Sequence, residues 1–543
     1  MLGLAAASFA AGAVLATQPG RDERQLVTRY VHDWERSDFA PMYRMLDARS
    51  RHHTSQSRFV HELQVDADTA TMTSLRTLHV GSDRGSRIAV AVQVQTRVWG
   101  ALDQTLVVPV SGSGDGARVH LARELLFPGL RPGERLHRHM TLPVRGALLA
   151  SNGVPLAQGP NRTSPIPTVA EQVVGTMGPI PASLSAAYAA AGYPANAQVG
   201  LDGLEHVFQN RLAGRLGGTL MAGRRVLATA RPVQSNAVET TINPTMEQEA
   251  VAALGGAYAG LAVMNPRTGA VEALAGIAFS APQPPGSTMK IITASAALQA
   301  GLVTLGSTFP YATSATIDGY TMQNASGEDC GGTLLNAFAV SCNSVFAPLG
   351  AKVGGARLVA MAEKFGFDQP SSILGAAEST IPSAKTIGND LAVGSSAIGQ
   401  GLVQTTPLEM TDVAATIAMG GRRPIPTLLA HQRPRFVRVI SPHVAHEVQQ
   451  MMIAVVQYGT GTAAQIPGVV VAGKTGTAEL VDTATNANNP NASSPKNTDA
   501  WFVGYAPVGH PKVTAGALFP NQGAGGGTAA PPVRQVIASA LGG

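Results

Sequence analysis

Ser287-Thr288-Met289-Lys290 is the stretch of this chain from which chemistry is most readily built. Pro284-Pro285-Gly286 breaks the chain just before it, and Ile291-Ile292-Thr293-Ala294-Ser295-Ala296-Ala297-Leu298 follows with helical character despite its β-branched start. The pattern predicts Ser287 at a helix N-terminus, where unpaired N–H groups and the helix dipole favour developing negative charge. Lys290 falls one turn on along the same face. A serine hydroxyl beside a lysine that can take its proton is an activated nucleophile. The spacing alone is unspecific. Ser493-Ser494-Pro495-Lys496 repeats it among Asn, Ser and Pro, as a loop would, and Ser287 by itself also reads as a helix cap.

Two further triplets supply partners. Ser341-Cys342-Asn343 is the only S-x-N in the chain and Lys474-Thr475-Gly476 the only K-T-G, with Thr477 next. The K-T-G follows an apolar strand-like run, Gly468–Ala472, where a glycine lets another backbone approach closely. S-x-x-K, S-x-N and K-T-G in this order resemble the serine penicillin-recognising enzymes, and most closely the class B penicillin-binding proteins. Ala397-Ile398-Gly399-Gln400-Gly401, Thr406-Pro407-Leu408-Glu409-Met410, Gly459-Thr460-Gly461-Thr462-Ala463 and Trp501-Phe502-Val503-Gly504-Tyr505 are similar to segments around those motifs in that family. Arg145-Gly146, Asn152-Gly153 and Leu156-Ala157 resemble its pedestal opening, with Ala150 and Ser151 where Asp and Arg are usual.

The resemblance implies roles. Ser287 attacks a carbonyl and becomes an acyl-enzyme, and neutral Lys290 accepts its proton. Lowering a lysine from ~10.4 to ~7 costs about 4–5 kcal/mol; burial with a second cation, Lys474, can supply that. Ser341 relays a proton between the lysines and the leaving amine, and Asn343 holds the substrate amide. Lys474, Thr475 and Thr477 receive the terminal carboxylate of a D-Ala-D-Ala stem peptide across Gly476. The N–H groups of Ser287 and Thr477 form the oxyanion hole. The implied activity is peptidoglycan D,D-transpeptidation, with β-lactams as covalent ligands and no cofactor or metal. The region before these motifs is too short for a glycosyltransferase module.

Competing readings share some of these motifs. A class D β-lactamase has S-x-V at the second one, and a class A enzyme has S-D-N with a deacylating Glu. A D,D-carboxypeptidase carries all three but usually lacks an N-terminal extension. A non-catalytic β-lactam sensor or scaffold of a wall-synthesis complex is the reading from outside enzymology.

Elements must position these residues. A chain of 543 residues exceeds one core. At 45% hydrophobic and 13% charged, with 60 Gly and 36 Pro, it is globular and turn-rich rather than disordered. The net charge of +5 comes mainly from arginine, and no lysine precedes Lys290. No dense basic run interleaved with aromatics is present, which argues against nucleic-acid binding. Met1–Ala16 is uncharged and Ala/Leu/Gly-rich, shorter than the ~20 residues of a spanning helix. Residues 1–20 read as a residual export signal or membrane anchor, placing the protein at the extracytoplasmic face of the plasma membrane or outside it. Cys330 and Cys342 are the only cysteines, and export permits a disulfide between them. His52-His53 and His137/His139 lack matching metal ligands.

The fold class expected is multidomain α+β. Residues 21–140 place amphipathic helices (Leu26, Tyr30, Trp34; then Phe39–Leu46) before alternating strands at Ile88–Val94, Leu102–Val110 and Arg118–Ala122. That order resembles the cone-shaped NTF2-like extension of some Gram-positive family members. Residues 141–236 read as a pedestal, or dimerisation-type, domain. Residues 237–543 read as the transpeptidase domain: strands at Tyr258–Met264 and Ala270–Ala275, a helical middle with Ala356–Phe365 and Pro407–Met419, and late strands at Ala500–Tyr505 and Val513–Phe519. Its antiparallel sheet is therefore closed by both ends of the segment.

Overall fold

The computed structural model describes residues 20–83, 86–480 and 497–542. Met1–Ala16 and the second S-x-x-K copy at Ser493–Lys496 lie outside the described residues. The chain forms two compact units: the described part of Met1–Arg145 with Pro179–Gln198 and Ala213–Ser235, and Gly146–Gly178 with Val199–Leu212 and Asn236–Gly543. Residues 141–236 are thus divided in space between the two.

In the first unit the helix Arg21–Glu35 buries Leu26, Val27, Tyr30, Val31 and Trp34, and carries Asp22 and Glu23 at the positive end of its dipole. Three short or medium helices follow, two of them capped by side chains: Asp47 accepts from Ser50 N and Ser55 from Arg58 N. Met72–Asp83, Arg87–Thr96, Gly100–Ser111 and Arg118–Val119 then make an antiparallel sheet in sequence order. Ile88, Val90, Val92 and Val94 are buried in alternation, as half-buried strands require. The last strand is shorter than the expected Arg118–Ala122, because a 3₁₀ turn begins at Arg123.

The second unit is built on a five-stranded sheet, in the order Ala270–Gly276, Gly260–Asn265, Val513–Phe519, Thr498–Ala506, Ala472–Glu479. All its pairs are antiparallel. The first hairpin pairs with the last strand, so both ends of the domain close one sheet. Helices Pro244–Leu254 and Ala530–Ala540 pack Met246, Ala250, Val533, Val536 and Ile537 against one face with Leu261, Val263, Ala515 and Ala517. The helices Pro407–Ala418 and Pro442–Gln457 both pack directly against the sheet on its other side. The strand expected at Gly468–Ala472 begins only at Ala472 and contains K-T-G itself. Among the described residues, no single helix is long and apolar enough to cross a membrane.

Inside this unit Arg423 Nε donates to Asp412 Oδ2 at 2.7 Å, and Asp412 is fully buried. Removing the cation strands a carboxylate in the core, which costs about 3–5 kcal/mol. Arg423→Ala is expected to lose stability on that scale in denaturant unfolding; a loss below about 1 kcal/mol would show that the pair is dispensable.

Candidate active site

Ser287 sits on a tight turn that glycine makes possible. Gly286 opens a 3₁₀ turn, Gly286–Met289, that runs directly into the helix Lys290–Gln299. Its φ is +51°, and a Cβ there would lie 2.8 Å from the backbone C and O of Thr477. Gly286 N donates to Gly399 O at 2.9 Å, and Thr288 Oγ1 donates to Pro285 O at 2.7 Å. Ser287 is half-buried between them. Among the described residues its hydroxyl has no hydrogen-bond partner, so it does not cap the helix.

Lys290 is the first residue of that helix and is fully buried. Its Nζ donates to Ser341 O at 2.6 Å and to Asn343 Oδ1 at 2.7 Å, with Ser341 Oγ at 3.3 Å. Ser341 adopts a left-handed backbone, φ +62°, uncommon for a residue with a side chain. Its carbonyl and its hydroxyl thereby both serve Lys290. The following residue, Cys342, is disulfide-bonded to Cys330, with an S–S distance of 2.08 Å. Ser344 N donates to Asn324 Oδ1 at 2.7 Å on the far side of the motif. Asn343 starts the helix Asn343–Val353, and its Nδ2 donates to Gln323 O at 3.1 Å.

K-T-G lies on the outer strand of the sheet, Ala472–Glu479. Gly476 has no room for a side chain: a Cβ would come 2.7 Å from Pro285 O and 3.0 Å from Thr288 Cγ2. Trp501, on the neighbouring strand, donates from Nε1 to Pro284 O at 2.8 Å and so fastens the nucleophile turn to the sheet. Lys474 is fully buried, its Nζ donating to Ser341 Oγ at 2.9 Å and to Thr475 O at 3.0 Å. Thr475 Oγ1 shares a hydrogen with Thr460 Oγ1 at 2.5 Å.

Electrostatically the cluster is unusual. Two lysine amines converge on one serine hydroxyl, and among the described residues neither has a carboxylate partner. Burial pushes the Lys474 ammonium down to about 7. Burial, and then the positive charge of Lys474, push Lys290 well below the ordinary lysine value. Aromatic rings complete the wall, Phe346 at 5.6 Å from Lys290 Nζ and Phe338 at 5.4 Å from Lys474 Nζ.

Ser287, Lys290, Ser341, Asn343, Lys474, Thr475, Gly476 and Thr477 therefore meet in one cluster. Sequence reasoning did not reach the Gln323 carbonyl, the Ser341 carbonyl or the Thr460 hydroxyl as members of the site. The first two are backbone atoms that no residue type announces. Thr460 stands in a segment similar to the family's, but its contact depends on tertiary placement.

Residues 259–538 match the penicillin binding protein transpeptidase domain, and residues 134–239 match the penicillin-binding protein dimerisation domain. The chain belongs to the class B penicillin-binding proteins. The peptidoglycan D,D-transpeptidase PbpA of Mycobacterium tuberculosis H37Rv is 33% identical over 391 residues, covering 59% of this chain and 76% of that one. The PbpA of Mycolicibacterium smegmatis is 37% identical over 294 residues, covering 49% of this chain and 56% of that relative, little more than half its length. Among solved structures, PBPA from M. tuberculosis is 27% identical with a TM-score of 0.57, covering 74% of this chain and 99% of that one. Its ceftriaxone acyl-enzyme complex is 27% identical with a TM-score of 0.59, covering 74% and 98%.

The packing at Gly476 yields a prediction for this penicillin-binding protein. Gly476→Ala forces the K-T-G strand off the nucleophile turn, and a displacement near 1 Å can cost about 100-fold in rate. Acylation by a penicillin should slow on that scale when followed by stopped-flow or gel fluorescence. Wild-type acylation in the variant would mean that the close approach is irrelevant to the reaction.

Proposed function

We propose that this protein cross-links peptidoglycan by D,D-transpeptidation through an acyl-enzyme on Ser287, and that β-lactams are trapped on the same serine. The observation that carries the reading is the pair of buried lysines flanking the Ser341 hydroxyl without an acid between them. The two short bonds from Lys290 Nζ, to Ser341 O and Asn343 Oδ1, use both protons of a neutral amine. Its lone pair is left for a third group, and Ser287, one turn away, is the group with a proton to give.

Ser287 Oγ attacks the carbonyl carbon of the penultimate D-Ala as its proton passes to Lys290. The N–H groups of Ser287 and Thr477 hold the oxyanion. The C–N bond then breaks, and the departing D-Ala amine takes a proton delivered from Lys290 by way of Ser341 Oγ. The amine of a second stem peptide then attacks the ester carbonyl, the bond from that carbonyl to Ser287 Oγ breaks, and the surplus proton of the amine passes through Ser341 Oγ and Lys290 back to Ser287 Oγ. In a β-lactam the bond that breaks is the ring amide, so the amine stays tethered beside the ester. Lys474, Thr475 and Thr477 receive the carboxylate of either ligand. The second N–H of Asn343 Nδ2 is left for a substrate carbonyl, since its oxygen is held by Lys290 and its other N–H by Gln323 O.

The dimerisation-domain match over residues 134–239 favours this reading over a D,D-carboxypeptidase, which shares the three motifs and passes the acyl group to water. The N-terminal module, with its helices ahead of an antiparallel sheet, serves as an NTF2-like extension that docks other proteins of a wall-synthesis complex. Residues 1–20 anchor the protein at the extracytoplasmic face of the membrane.

A fluorescent penicillin should label the wild-type protein stably and leave Ser287→Ala unlabelled; an unlabelled, folded wild type would sink the acyl-enzyme. With a thioester donor and a D-amino acid acceptor, exchange product should exceed hydrolysis, whereas hydrolysis alone would return the carboxypeptidase.

The lysines set the pH dependence. Acylation requires neutral Lys290, whose folded value lies well below that of an ordinary lysine, so the rate should climb with pH and level off well before ~10.4. A rate that climbs only near ~10.4 would show an unperturbed lysine. Lys474 contributes to stability with the same sign. From about 7 upward the folded state has released a proton that the unfolded chain keeps to ~10.4, so stability rises with pH across that window.

A further inference from the structure

Gln400 meets the outer strand of the sheet as a peptide would. Its amide, oriented with oxygen toward the Glu479 N–H, accepts from that N–H at 3.1 Å and donates to the Glu479 carbonyl at 3.3 Å. The reverse orientation would set oxygen against oxygen and N–H against N–H. Two bonds exchanged with a single residue are what one strand offers another in an antiparallel ladder. Gln400 is half-buried, and its place is fixed by its own N–H, which donates to Ser395 O at 3.0 Å. The carbonyl of the preceding residue, Gly399, accepts from Gly286 N in the nucleophile turn at 2.9 Å. The amide at Glu479 is therefore rigidly tied to the turn that carries Ser287.

The register shows which edge positions remain open. Leu480 N donates to Asn497 O, towards the inner strand, at 2.9 Å. Backbone groups alternate along a strand, so those of Ala478, Gly476 and Lys474 face inward, while those of Glu479, Thr477 and Thr475 face the free edge. Among the described residues no strand covers that edge, because Ala472–Glu479 is outermost. A donor peptide laid antiparallel on it with its carboxylate at Thr475 and its penultimate residue at Thr477 runs N-terminally toward Glu479. The donor residue two places upstream of the penultimate one would pair with Glu479, where the Gln400 amide already makes both bonds.

We infer that Gln400 is a specificity-determining residue that ends strand pairing of the donor at Thr477 by holding the Glu479 edge position with its own side-chain amide. The donor backbone has to leave the sheet after the residue next to the D-Ala-D-Ala pair. Stems that turn away there are accepted, and α-linked peptides that would continue straight along the edge gain nothing from their extra length. The inference rests on the acyl-enzyme reading of Ser287.

The test compares two donors: a three-residue diacyl-L-Lys-D-Ala-D-Ala and an α-linked pentapeptide of the same C-terminal sequence. Their kcat/KM values are measured on wild type, Gln400→Ala and Gln400→Met, with competent sites counted in each preparation by benzylpenicillin titration. In the wild type the two donors should be used about equally. In Gln400→Ala the pentapeptide should gain about three- to tenfold over the shorter donor, the worth of one or two net hydrogen bonds. Gln400→Met keeps the bulk and loses both bonds, so it should move the ratio the same way by less. Ratios unchanged in both variants would overturn the inference, as would an equal loss on both donors, which a purely structural Gln400 would give. Absence of benzylpenicillin titration in the wild type would instead reject the acyl-enzyme reading itself.

Discussion

Two lysine amines buried against one serine hydroxyl, with no carboxylate to neutralise them, form the constraint around which the second unit is arranged. A buried ammonium without a counter-ion is costly, and two that face each other are costlier. The protein meets this by letting the protons go. Burial alone brings Lys474 to about 7, and burial, followed by the charge of Lys474, holds Lys290 well below the ordinary lysine value. What remains is stabilised by hydrogen bonds suited to neutral amines, from Lys290 to Ser341 O and Asn343 Oδ1, and from Lys474 to Ser341 Oγ and Thr475 O. The same absence of a counter-ion that costs stability while the amines are charged leaves a neutral amine for the proposed proton transfer.

Such a cluster requires three chain segments, far apart in sequence, to be held within hydrogen-bond reach. The structure does this with backbone contacts that exclude side chains. Gly286 lies on Thr477 and Gly399, Gly476 lies on Pro285, and Gly525 lies on Gly476 and Trp501, each closer than a Cβ allows. The indole of Trp501 adds a bond from the sheet to Pro284. The residues that follow the left-handed turn at Ser341 are held by the Cys330–Cys342 bridge and by Asn324, whose Oδ1 accepts from Ser344 N. Backbone strain of this kind persists where the surroundings over-determine it.

Much of this was legible in the sequence because it depends on rare residue types in a fixed order. The three triplets, the lysine pair and the early-and-late strand arrangement could be read directly, as could the stripe Leu26, Tyr30, Trp34. Elements were less legible where local pattern and tertiary role diverge. The apolar run Gly468–Ala472 looks like a strand, yet the strand is the mixed Ala472–Glu479, whose polar residues are buried by the turn packed on it. The Arg118–Ala122 alternation stops after two residues at a turn. The sharing of residues 141–236 between two units leaves no mark in composition. Gln323, Thr460 and Gln400 act through a carbonyl, a shared hydrogen and a strand-like amide, and those are properties of placement.

The central claim is that burial holds both amines far below the ordinary lysine value, so that Lys290 is available as a neutral base. With only seven lysines in the chain, a direct titration is practical. Lysine-labelled protein would be followed by 13Cε and 15Nζ NMR from pH 5 to 11, with the two resonances assigned through Lys290→Arg and Lys474→Arg. The account predicts that Lys474 titrates near 7 and that Lys290 titrates well below the ordinary lysine value. Finding all lysines in the ordinary range would contradict it and would require another base for Ser287.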